Sequence, residues 1–110
     1  MILDTSSLID RVKAGRKINE NITIVTALEY PTIMNYEKFH GEIFFVTYED
    51  QVMAFTLQKK LREVGKALSV GNILIASICI NRRETLVTKD KVFKDVAKIV
   101  PEFKAIIESE

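Results

Sequence analysis

Very little in this sequence points to a scaffold held together by anything except a hydrophobic core. With a single cysteine, Cys79, no internal disulfide can form. A lone thiol inside an apolar run behaves as a small hydrophobe, so the chain is expected in a reducing compartment. Two prolines and four glycines in 110 residues leave no linker, no low-complexity tract and no disordered composition. The longest apolar stretch, residues 73–80, is interrupted by Ser77 and falls far short of the ~20 residues a bilayer span needs, which predicts no membrane segment. At the amino terminus, Met-Ile-Leu-Asp-Thr-Ser-Ser has no cationic region ahead of an apolar one, so nothing there reads as a secretion signal and a cytoplasmic location is expected. Charge of one sign is lacking too: sixteen Lys and Arg stand against fifteen Asp and Glu, a net charge of +1. No whole-molecule field draws in nucleic acid or membrane, and a polyanionic partner would have to meet a local patch.

What is present is enough apolar material for one core. The chain is 47% hydrophobic and 28% charged, and its length suits a single domain over residues 1–110. Ile2 and Leu3 form a short strand that stops at Asp4, and Thr5, Ser6 and Ser7 offer hydroxyls to cap a helix carrying Leu8, Ile9 and Val12, with Gly15 as its left-handed stop. A β-branched run over 22–25 predicts a second strand ending at Thr26, followed by a helix that Pro31 sets near Tyr30. Residues 43–46 show no alternation and predict a third strand buried on both faces. Glu49 and Asp50 open the clearest helix, with Val52, Met53, Phe55, Leu57, Leu61 and Val64 along its apolar side and Gly65 closing it. Residues 73–80 suit either a buried strand or a buried helix, and periodicity cannot decide. Leu86 and Val87 predict a fourth strand stopping at Thr88, residues 91–97 a short helix, and Ile99 and Val100 a last strand before Pro101. Strands alternating with helices, without polar alternation in the strands, predict an α/β fold: three layers, α/β/α, around a mostly parallel sheet of four or five strands.

In such sheets ligands bind outside the carboxyl ends of the strands. Three acids recur there: Asp4 after strand one, Glu29 shortly after strand two and Asp90 shortly after strand four. Gathered carboxylates must protonate, pair with bases or bind a cation, and oxygen-only ligation suits Mg²⁺ or Mn²⁺. Such an ion activates water and stabilises charge on a phosphoryl oxygen, the chemistry of phosphodiester cleavage. The plainer alternative is helix capping: Asp4 and Asp90 by themselves, and Glu29 through a capping box, Thr26-Ala-Leu-Glu29.

Four segments, in order, resemble the PIN-domain nucleases: Ile-Leu-Asp-Thr-Ser-Ser-Leu-Ile-Asp at the start, Ile-Val-Thr-Ala-Leu-Glu-Tyr-Pro in the first third, Asn-Ile-Leu-Ile-Ala-Ser, and Leu-Val-Thr-Lys-Asp-Lys-Val-Phe. The likeness covers about residues 1–100 and is nearest to the toxin half of VapBC-type toxin-antitoxin pairs. The resemblance implies a metal-dependent endoribonuclease cleaving RNA, silenced by a bound antitoxin and usually a homodimer. It implies metal-site acids at Asp4, Glu29 and Asp90, supporting hydroxyls from Thr88 and from Thr5 or Ser6, and a helix rather than a strand over 73–80. One position departs from the pattern. Where the family has Asp before Leu-Ile-Ala, this chain has Asn72, which brings an oxygen but no charge and should weaken attraction for Mg²⁺. Impaired catalysis, or a PIN-like module that only binds RNA or a protein, is therefore the alternative reading.

A phosphotransfer domain would also place an Asp at a parallel strand end, but Thr5 and Ser6 stand where such hydrolases need a second Asp. Asp95 is a candidate auxiliary acid or simply a solvated helix residue, and His40 and Asp10 read as surface. Arg82, Arg83, Lys89, Lys91 and Lys94 bracket the proposed site and could grip RNA phosphates, or form a solvated face. The same choice applies to Arg11, Lys13, Arg16 and Lys17. An isoleucine-rich, glutamine-poor composition with many Lys and Glu hints at a heat-adapted source.

Overall fold

Every strand among the described residues is two or three residues long, and these five run parallel. The computed structural model describes residues 1–109, in the order β1 (Ile2–Leu3), α1 (Thr5–Lys13), β2 (Ile22–Thr23), α2 (Ile24–Glu29), a 3-10 turn (Pro31–Asn35), β3 (Ile43–Phe44), α3 (Tyr48–Glu63), α4 (Val70–Arg82), β4 (Leu86–Thr88), α5 (Phe93–Ile99) and β5 (Ala105–Ile107). β1 pairs with β4, β4 with β5, and β2 with β3. The two ladders join through a bridge between Ile2 and Asn21, where Leu3 N donates to Asn21 O at 2.8 Å and Asn21 N to Met1 O at 2.9 Å. The sheet order is thus β3-β2-β1-β4-β5.

Successive strand residues point to opposite faces, and a parallel sheet must be covered on both. Ile2 and Leu86 accordingly enter one core with Leu57, Leu61, Ile75, Ile78, Phe93 and Val96. Leu3 and Val87 enter the other with Leu8, Ile18, Ile22, Ala27 and Ile33. Helices α3, α4 and α5 cover the first face and α1 and α2 the second, the three-layer arrangement expected.

Several boundaries fall elsewhere than expected. The strand over 22–25 ends at Thr23, whose hydroxyl accepts from Thr26 N at 3.3 Å and starts α2 at Ile24. That cap replaces the Thr26–Glu29 capping box, and Tyr30, expected to begin a helix, ends α2 and leads into the 3-10 turn with Pro31 at its first position. Strand β3 is not buried on both faces: it is an edge, half-buried, and Phe45 beyond it is 64% exposed. Residues Ile99 and Val100 are not strand. Helix α5 runs through Ile99, and the last strand lies at Ala105–Ile107, in register with Leu86 to Thr88.

Residues 73–80 are helical, as the family likeness implied. Ser69 caps α4, accepting from Asn72 N at 3.2 Å, and Ile73, Ile75, Ala76, Ser77, Ile78 and Cys79 are all buried. Burial pushes the Cys79 thiol well above its ordinary range, which leaves it an inert core residue. In α3 the buried stripe is Asp50, Ala54, Leu57 and Leu61, not the broader apolar side expected; Val52 and Phe55 face solvent. The α3–α4 hairpin is locked by Gln58, which bonds both the carbonyl and the amide of Leu68 at 2.6 and 3.0 Å. At its other end the fully buried Asp50 accepts from Thr47 N, Asn81 and Arg82.

Candidate metal centre

Asp4 follows β1 directly, in extended backbone, and its amide still pairs with Val87 O at 2.8 Å. The carboxylate therefore sits where the carboxyl ends of β1 and β4 meet. Its Oδ1 accepts from Thr5 N at 2.8 Å, so Asp4 does cap α1 as the plainer reading had it. Its Oδ2 accepts from Thr88 Oγ1 at 2.7 Å. Thr88, fully buried at the end of β4, also accepts from Asp90 N at 3.0 Å, while Asp90 Oδ1 accepts from Val92 N at 3.0 Å and fixes the turn into α5. Thr5 Oγ1 donates to Glu29 Oε1 at 2.6 Å across the gap between α1 and α2. Two threonines thus tie the three acids: Thr5 links Asp4 to Glu29, and Thr88 links Asp4 to Asp90.

The electrostatics follow from this placement. Asp4 is only 7% exposed. Burial raises its carboxyl above the usual carboxylate range, the Thr88 and Thr5 bonds pull it back, and the charges of Glu29 and Asp90 push it up again. Among the described residues Asp4 forms no ion pair. Glu29 and Asp90 are exposed, so the site opens to solvent with one buried acid behind two accessible ones. Among the described residues no three carboxylate, imidazole or thiolate groups stand close enough together to cage an ion unaided.

The remaining candidates divide clearly. Asn72 lies half-buried in the first turn of α4, next to Gly71, and a Cβ on Gly71 would stand 3.7 Å from Glu29 Oε2. The turn bearing Asn72 therefore adjoins Glu29. Of the two hydroxyls offered after Asp4, Thr5 is engaged and Ser6 is exposed. Asp95 pairs with Lys98 at 3.9 Å and lines a cavity with Val64 and Lys66, outside the network of the three acids. Arg82 and Arg83 do not bracket the site. Helix α4 returns the chain to the amino end of β4, and Arg82 there bonds Asp50 at 3.0 Å and Phe45 O at 3.1 Å and covers the Phe44 ring. Lys89 pairs with Asp10, and Lys91 and Lys94 are exposed.

Two participants carried no sequence signal as site residues. Thr26, fully buried, places its hydroxyl 3.0 Å from that of Thr5. Glu108 continues β5, its amide donating to Thr88 O at 2.7 Å and its carboxylate accepting from Arg11 through two bonds of 3.0 Å each. Those bonds hold Glu108 below the usual carboxylate range and raise Arg11 in turn. Arg11, grouped by sequence with exposed cations, instead fastens the last strand to α1.

No protein-family model matches this sequence, and no curated protein does. Solved structures match over nearly the whole chain. One chain of VapBC-5, a member of the VapBC family of toxin-antitoxin systems from Mycobacterium tuberculosis, shares 20% identity with a TM-score of 0.77, covering 97% of each chain. A chain of VapBC2 from Rickettsia felis, bound to a DNA fragment from its promoter, shares 16% with a TM-score of 0.74 over 98% of each. A chain of DNA-bound VapBC from Salmonella typhimurium shares 14%, also with a TM-score of 0.74, over 96% of each. At such identities the likeness establishes the fold.

Proposed function

We propose that this chain, whose fold is that of a VapC-type PIN domain, is a metal-dependent endoribonuclease that cleaves RNA phosphodiesters and is the toxin component of a toxin-antitoxin pair. The observation that carries this reading is Asp4: buried, with both oxygens already oriented by Thr5 and Thr88, and faced by the charges of Glu29 and Asp90. Carboxylates so placed call for a compensating cation. The all-oxygen donor set fits Mg²⁺ or Mn²⁺, ions ordinarily held through one or two carboxylates with waters and substrate phosphates completing the shell, so a closed cage of three acids is not required. Asp4 would hold the ion, with Glu29 and Asp90 as the flanking acids. When bound, it lowers the pKa of coordinated water and stabilises phosphoryl charge.

The chain's own residues prepare that chemistry. Thr88 and the Thr5 amide each occupy one lone pair of Asp4 and fix the direction of the others, and Thr5 orients Glu29. Exposed Lys91 and Lys94 stand beside Asp90 in the chain and supply local positive charge for RNA phosphates in a molecule with no net field. The proposal takes residues 1–110 as one domain carrying the whole site, in the cytoplasm. Among the described residues no helix is long and apolar enough to cross a membrane.

An antitoxin is the proposed protein partner. A groove of about 480 Å³ between α3 and α4 is floored by Ala54, Phe55, Val70, Ile73 and Leu74, and Phe55 and Val70 are 78% and 73% exposed. Basic side chains, Lys59 and Arg62, edge it, which favours an apolar segment with acidic flanks. A homodimer would then use the second apolar strip of α3, Tyr48, Val52 and Met53.

A non-catalytic binding module is the second reading, favoured by the uncharged Asn72, whose neighbour Gly71 adjoins Glu29, and by the lack of a three-group cage among the described residues. The test is cleavage of single-stranded RNA by the purified chain. Activity dependent on Mn²⁺ or Mg²⁺, abolished by Asp4→Asn and raised by Asn72→Asp, supports the nuclease. Undiminished cleavage in EDTA overturns it, and no cleavage together with no calorimetric Mn²⁺ binding at millimolar metal moves the chain to the binding module.

A further inference from the structure

We infer that Thr26 is a positioning residue that acts through the Thr5 hydroxyl to hold the Glu29 carboxylate in a single orientation. A threonine hydroxyl has one proton to give and two lone pairs to receive with. Thr5 Oγ1 lies 2.6 Å from Glu29 Oε1, the short distance of a charge-assisted bond to a carboxylate, so the Thr5 proton goes there. Thr26 Oγ1, 3.0 Å from Thr5 Oγ1, must then be the donor of that second bond. The direction is fixed: Thr26 to Thr5 to Glu29.

The surroundings of Thr26 fit this use. It is fully buried, and a buried hydroxyl needs a partner. It is free of capping duty, because Thr23 caps α2 and the Thr26 amide is what that cap receives. Glu29, by contrast, is exposed at the last position of a six-residue helix, where a long side chain gives up much rotamer freedom to be held in one place. Thr5 alone is half-exposed, and its hydroxyl could turn to water. By donating to it from the interior, Thr26 fills an acceptor site on Thr5 and aims its proton outward at Glu29. Donors in series also polarise and strengthen one another. One oxygen of Glu29 is thereby tied down, and the other faces the first turn of α4 at Gly71.

The purpose assigned to this relay rests on the nuclease reading, but its structural effect does not. The test reads both separately, in Thr26→Val, Thr26→Ser, Thr5→Val and the Thr5→Val/Thr26→Val double variant, with Thr26→Ala in place of valine should valine prove too bulky to fold. Three-bond NMR couplings across the Glu29 side chain, in metal-free protein, should show one rotamer in the parent, averaging in Thr26→Val, and recovery in Thr26→Ser. The double variant should average no more than Thr5→Val, since Thr26 acts only through Thr5. Calorimetric Mn²⁺ affinity should fall about tenfold in Thr26→Val and return in Thr26→Ser, the usual loss for a second-layer partner. Unchanged Glu29 couplings in the folded Thr26 variant, failure of serine to restore them, or additive effects in the double variant overturn the relay. Couplings that behave as stated in a parent that binds no Mn²⁺ leave the relay standing and overturn the nuclease reading instead.

Discussion

Thr88 holds Asp4 from 84 residues away: its buried hydroxyl donates to Asp4 Oδ2 at 2.7 Å. Thr88 Oγ1 also accepts the Asp90 amide at 3.0 Å, so one side chain at the end of β4 sets both the acid behind the site and the turn that carries the acid in front of it. Position along β1 and β4 thereby becomes position of carboxylates.

Replacing Thr88 with valine keeps the shape and leaves a carboxylate oxygen and an amide without their partner. The expected cost is about 1–3 kcal/mol in urea unfolding, most of it recovered by Thr88→Ser. An unchanged unfolding midpoint in the valine variant would show that the bond does not matter to the fold.

The raised carboxyl of Asp4 gives a signed pH dependence. Its folded-state value lies above its unfolded value, so between the two the native state binds more protons, and stability falls as pH rises through that window. Asp4→Asn removes the fall. In thermal scans from about pH 4 to 8 the metal-free asparagine variant should be flatter than the parent and more stable at neutral pH, with Mn²⁺ reversing the order. A parent whose stability climbs with pH across the range, with the asparagine variant following it, would contradict this.

Asp50 titrates in the opposite sense. Burial alone would raise it, but the Thr47 amide, Asn81 and Arg82 outweigh burial and hold it below the usual range. Its stabilisation is therefore present at neutral pH and lost as pH falls through that lowered value. Arg82→Met strands a buried charge and should cost about 3–5 kcal/mol at neutral pH. The variant and the parent should converge in acid, which equilibrium unfolding at several pH values would measure.

The two apolar stripes of α3 should respond differently. Leu57, 1% exposed, should cost about 2–5 kcal/mol on truncation to alanine. Phe55→Asp, on the open stripe, should stay within about 0.5 kcal/mol in stability. It should nonetheless weaken antitoxin binding by about 2 kcal/mol or more, read by calorimetry against the parent.

What could be read from the sequence was what local chemistry settles. Ile2 and Leu3 stop at an acid followed by hydroxyls, and Leu86 and Val87 stop at Thr88; both patterns marked strand ends, and strand ends in a parallel sheet converge. At that edge Thr88 bonds the Asp4 carboxylate and the Asp90 amide, and Thr5 bonds Glu29. One miss was local: Thr23 lies inside a β-branched run that has every mark of a strand, and its capping bond to Thr26 cuts the strand short. The other misses were decided by distant partners. Val52 and Phe55 are as apolar as Leu57 and Leu61, and only the placement of α4 selects which stripe is covered. The last strand was misplaced because β5 is fixed by pairing with β4 and by Arg11 gripping Glu108 across 97 residues. Arg82 had the composition of a phosphate grip, and a buried Asp50 claimed it.

Crystals soaked in Mn²⁺, with data collected at the manganese absorption edge, test the central claim most directly. The account predicts an anomalous peak against Asp4, on the side facing Glu29 and Asp90, stronger in Asn72→Asp and gone in Asp4→Asn. Saturating metal with no peak at Asp4, or a peak that survives Asp4→Asn unchanged, would contradict it.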